Sequence, residues 1–78
     1  MKKDKLTQVM QEQVWALERL KRTLSSRYHR VKDSMDKIVT ANVYNQVEDT
    51  ITNICKDYNV KRKSPVVYLT YDFTELDI

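Results

Sequence analysis

Apolar residues recur from the start of the chain at Leu6, Met10, Leu17, Leu20, Leu24, Tyr28, Val31, Met35 and Ile38. At about 100° per residue they fall in a stripe roughly 80° wide, one face of one helix. The seven-residue series Met10, Leu17, Leu24, Val31, Ile38 is unbroken. Its companion is not, because Gln13, Arg27 and Ser34 stand where a coiled coil needs its other core position. The pattern therefore predicts a long amphipathic helix over about 4–38, with a regular coiled coil as the lesser reading.

Beyond Ile38 the spacing stays helical at Val43, Val47, Ile51, Ile54 and Tyr58, but this face lies about 140° away from the first. One straight helix cannot turn both faces to one partner. A turn is expected near 39–42, with Thr40 or Asn42 as N-cap and a second helix over about 42–58. Asn59 then closes that helix in the left-handed conformation. The fold class is mainly α, an antiparallel helical hairpin. The alternative is a break at Ser25-Ser26, which gives three shorter helices and a three-helix bundle.

With arms of about 50 Å and 25 Å, the hairpin leaves half of the first stripe uncovered. Leu6, Met10, Val14 and Leu17 then lack an intramolecular helix, and each such side chain gains about 1.5–3 kcal/mol on burial. A second chain is the expected cover. Self-association is assigned to Leu6, Met10, Leu17, Leu20 and Leu24.

The texture changes at KRKSPVVYLTYDF, residues 61–73. Pro65 ends any helix and biases Ser64 to extended backbone. In the run that follows, Val67, Leu69, Tyr71 and Phe73 alternate with Val66, Tyr68, Thr70 and Asp72, as in a β-strand with one apolar face. A lone strand leaves its own N–H and C=O groups unpaired. Its partner is either a second copy, a sheet edge on a protein target, or the chain's own helices. The organisation is thus a helical unit over 1–60, a basic link over 61–65 and a C-terminal strand over 66–78.

Composition narrows the function classes. The chain has 78 residues, one cysteine, one histidine and no glycine. That excludes an internal disulfide, a Cys/His metal set and a glycine-rich phosphate loop. Cys55, on an apolar helix face, reads as a plain packed thiol. No catalytic or metal residue is assigned, no cofactor is expected, and the chain is read as a non-enzyme. The opening MKKDKL is followed by polar residues where a signal peptide needs an apolar core, and no run is long enough to span a membrane. A cytoplasmic protein is expected. The wealth of Lys, Asn, Ile and Tyr with little Ala and Pro fits AT-rich coding, as in low-GC bacteria or their phages.

The net charge of +3 is unevenly placed. Residues 1–37 hold ten Lys/Arg against five Asp/Glu, the link three against none, and residues 66–78 none against three. A basic stretch carries Arg19, Arg22, Arg27, Arg30 and Lys32, with Trp15, Tyr28 and His29 near as stacking groups, so nucleic acid is a candidate partner. A helix-turn-helix reader is disfavoured because the second helix is acidic. Three readings follow: a small regulator, inhibitor or adaptor acting by protein–protein interaction as a homodimer; a nucleic-acid-binding regulator; and a structural subunit of a larger assembly.

Overall fold

A computed structural model describes residues 2–70, with side-chain detail from Lys5 onward. Helix α1 runs Lys2–Arg30 and helix α2 runs Ser34–Tyr58. They form a hairpin with extensive contact along its length. The two-helix hairpin expected from the apolar pattern is present, but its turn is at 31–33 rather than 39–42. Helix α1 passes unbroken through Ser25-Ser26, so the three-helix alternative does not form.

The turn falls where it does because polar side chains terminate both helices there. Asp33 is the N-cap of α2, with extended backbone, and its carboxylate accepts from the Met35 N–H at 3.3 Å. Lys37 Nζ donates to the Tyr28 carbonyl at 2.7 Å, satisfying one of the last carbonyls of α1. Arg27 pairs with Asp36 across the turn at 2.8 Å. Thr40, expected as a cap, lies within α2 and bonds back to the Asp36 carbonyl. At the far end Asn59 is the C-cap at φ 54°, ψ 45°, the left-handed conformation expected of it.

Moving the turn makes the arms similar, 29 and 25 residues, or about 43 and 37 Å at 1.5 Å per residue. The expectation that Met10, Val14 and Leu17 lack a helix to lie against is thereby corrected. Val14 and Ile51 are fully buried and Val60 nearly so, with Met10, Leu17, Val47, Ile54, Cys55 and Tyr58 packed around them. The buried face of α2 also differs from the apolar series. It runs through Thr40, Ala41, Tyr44, Glu48 and Ile51, while Met35, Val39 and Val43 are exposed.

After Asn59 the chain lies extended along one groove of the hairpin as far as Thr70, with a bend at Lys63-Ser64. Among the described residues there is no β-strand, so the expected strand is corrected over 66–70; Tyr71 and Phe73 lie outside the described residues. The reason is chemical. The main-chain groups that a neighbouring strand would pair are bonded instead to helix side chains. Gln11 exchanges two bonds with Lys61, and Asn45 exchanges two with Leu69, both of the latter at 2.8 Å. Glu48 accepts from the Val67 N–H, and Tyr28 donates to the Thr70 carbonyl. Val67 and Leu69, two apart, turn their N–H groups to the same helix, which is extended-chain periodicity without a sheet. No described helix is long and apolar enough to cross a membrane.

Candidate functional site: a neutralised ion network, a basic hollow and an open apolar face

Two glutamates anchor the extended segment, one on each helix. Glu18 on α1 accepts from the Lys63 N–H at 2.8 Å, the Ser64 N–H at 2.8 Å and the Ser64 hydroxyl at 2.6 Å. Glu48 on α2 is fully buried and accepts from Lys21 at 2.8 Å, Arg62 at 2.6 Å and the Val67 N–H at 2.6 Å. Ser64 Oγ also accepts from Lys21, linking the two centres. Among the described residues no buried side-chain polar atom is left without a partner.

Burial pushes the Glu18 carboxyl up, but the Ser64 hydroxyl, the N–H groups of Lys63 and Ser64 and the charge of Arg62 outweigh it, so the pKa is lowered. Burial also raises Glu48, and hydrogen bonds from Lys21, Arg62 and Val67 again bring the pKa below the ordinary value. Both are held as carboxylates. The Cys55 thiol, half-buried against the core, is pushed up chiefly by burial, as a packing thiol would be.

Glu18, Glu48, Lys21 and Arg62 form two charges of each sign and cancel. Beside them lies a half-open hollow of about 460 Å³. Its rim carries Arg19, Arg22 and Lys63, with Trp15, Tyr44 and Pro65 as apolar walls. Lys63 Nζ sits 4.8 Å from the centre of the Trp15 ring. Among the described residues these three cations have no carboxylate within ion-pair distance.

The five basic residues singled out from the sequence therefore separate. Arg19 and Arg22 share the hollow. Arg27 is engaged by Asp36. Arg30, whose Nε donates to the Ser26 carbonyl, lies further along α1 on the face of Arg19, and Lys32 is exposed in the turn. Lys63, from the link, joins the hollow although it is far away in sequence.

On the opposite flank the hairpin is apolar and open. Gln11 and Glu18 mark the segment-facing side of α1, and Asn45 and Glu48 that of α2. At about 100° per residue, Leu6, Val9, Leu20 and Leu24 lie between about 130° and 170° round α1 from that side. Met35, Val39 and Val43 lie between about 110° and 170° round α2. Arg27 faces Asp36 and Lys21 lies over Tyr44, so Leu20 and Leu24 are level with the Val39–Val43 stretch. Leu6, Val9, Leu20, Val39 and Val43 are between 39 and 54% exposed, whereas Leu24 is half-buried. Of the residues assigned to self-association, Met10 and Leu17 join the intramolecular core, and Leu6, Leu20 and Leu24 remain on this flank. Val67, assigned to a partner strand, is exposed at the edge of the hollow, and Leu69 is half-buried.

Sequence reasoning missed Glu18 and Glu48. A signal was available for Glu48, which stands four residues after Tyr44 and three before Ile51, in phase with the buried face. Comparison with protein-family models, curated proteins and solved structures finds no match to this chain.

Proposed function

We propose that the chain is a small non-enzymatic interaction protein that pairs with a second copy of itself through the open flank of its hairpin. The observation that carries this reading is the row Leu6, Val9, Leu20, Val39 and Val43, left more than a third exposed on the side away from the extended segment. Among the described residues, one groove of the hairpin is filled by the chain itself and the other is not. Two such flanks packed about a two-fold axis bury the same residues on both copies, and closed two-fold dimers are the commonest oligomers. Charged residues are few in this row, as at the centres of protein interfaces.

Sedimentation at micromolar concentration tests the reading. The wild-type chain is expected to run as a dimer and Leu20→Glu with Val43→Glu as a monomer of unchanged helicity. A wild-type monomer throughout that range would overturn the proposal.

A further inference from the structure

Independently of that pairing, we infer that the hollow beside Trp15 is a binding site for single-stranded nucleic acid, seating one nucleotide against the indole with its phosphates on Arg19 and Arg22. The first support is electrostatic. The charges of the adjoining network, buried at Glu18, Lys21 and Glu48 and half-buried at Arg62, cancel, so the charge presented at the opening is that of Arg19, Arg22 and Lys63. Two guanidiniums one turn apart and an ammonium from a separate segment converge on one opening, an arrangement suited to phosphate oxygens.

The second support is the shape and lining of the hollow. About 460 Å³ lies within the roughly 300–1,000 Å³ typical of ligand pockets. The walls offer an indole and a phenol ring, and Lys63 fixes the indole from one side. Trp15 also forms part of a second hollow, of about 430 Å³, with Thr7, Gln8, Gln11 and Glu12. The ring thus borders two successive recesses along α1, and a base stacks on the face that Lys63 does not cover.

The third support is continuity. Trp15, Arg19, Arg22, His29 and Arg30 share a sector of α1 about 100° wide. From Arg19 to Arg30 the helix rises about 16 Å. A row of that length suits an extended polyanion better than one isolated phosphate. Trp15, Arg19 and Arg22 lie about 100° or more round the helix from Leu20 and Leu24, so pairing through the open flank leaves the hollow uncovered.

Trp15 is the chain's only tryptophan, and its emission reads the site directly. The full-length chain is titrated with single-stranded oligo(dT) at several salt concentrations, beside duplex DNA, inorganic phosphate and polyglutamate. The expected result is quenching by oligo(dT), with log affinity falling against log salt at a slope of about −2 for three engaged phosphates. Arg19→Glu with Arg22→Glu should lower the affinity about tenfold or more at unchanged helicity, and Leu20→Glu should leave it intact. Absence of quenching, affinity indifferent to salt, or equal response to polyglutamate or duplex would overturn the assignment. Quenching by inorganic phosphate as strong as that by oligo(dT) would also overturn it, because a lone anion site would then suffice.

Discussion

A carboxylate without solvent contact depends entirely on its donors, and Glu48 has three: an ammonium, a guanidinium and a main-chain N–H. Replacing such a pair by apolar groups is often neutral, whereas removing one member leaves an uncompensated buried charge. Glu48→Ala is therefore expected to cost about 3–5 kcal/mol in denaturant unfolding, because Lys21 loses its partner. Lys21→Met with Glu48→Met should recover most of that loss. Ile51→Ala should cost about 2–5 kcal/mol, and Leu20→Ala, on the open flank, within about 0.5 kcal/mol in the monomer. Acid should act through the same glutamates. Their folded pKa values lie below the unfolded value of about 4.3. Their contribution is thus complete above about pH 4.3 and lost as pH falls through the lower folded values. An acid titration by circular dichroism should show a shallower transition for Glu48→Gln than for wild type. A transition equally steep in both would remove these carboxylates from the account. Apolar periodicity did not reveal them, since it passes over a charge buried in phase with Tyr44 and Ile51.

At the scale of elements, the hairpin and its left-handed Asn59 cap were legible because helical spacing and a capping residue are local signals. The turn was misplaced by about two helical turns. Met35 and Ile38 continue the stripe of α1 in phase, and that regularity masked the Asp33 cap. Asp33→Ala should accordingly cost about 1 kcal/mol in thermal unfolding. The extended segment was legible in its backbone and not in its partners. Alternation of Val66 to Thr70 implies extended chain, but nothing local says that Gln11, Glu18, Asn45 and Glu48 will supply the missing ladder. Hydrogen exchange should find the Lys63, Ser64, Val67 and Leu69 amides protected, with Asn45→Ala exposing Leu69 first. Uniformly fast exchange over 61–70 would show that the segment does not dock. A chain ending at Asn59 loses Val60 from the core and every segment donor to Glu18 and Glu48. It should melt well below the full-length chain.

Over the described residues the molecule is a rod 57 Å long and 16 to 18 Å across, two helices wide. A body so thin has few positions distant from water, which is why a small apolar cluster around Val14, Ile51 and Val60 and a charged network share its centre. Its own extended segment covers one long side; the proposed second copy covers the other. Of the residues assigned to self-association, Leu6, Leu20 and Leu24 were legible as surplus apolar surface. Val39 and Val43 were not assigned, because the misplaced turn put Val39 within the turn itself and turned Val43 inward. The most direct test is isotope-filtered NMR on a mixture of labelled and unlabelled chains at micromolar or higher concentration. Intermolecular contacts should join the methyl groups of Leu20 and Leu24 to those of Val39 and Val43. Intramolecular contacts alone, with those methyl groups open to a soluble relaxation agent, would contradict the pairing.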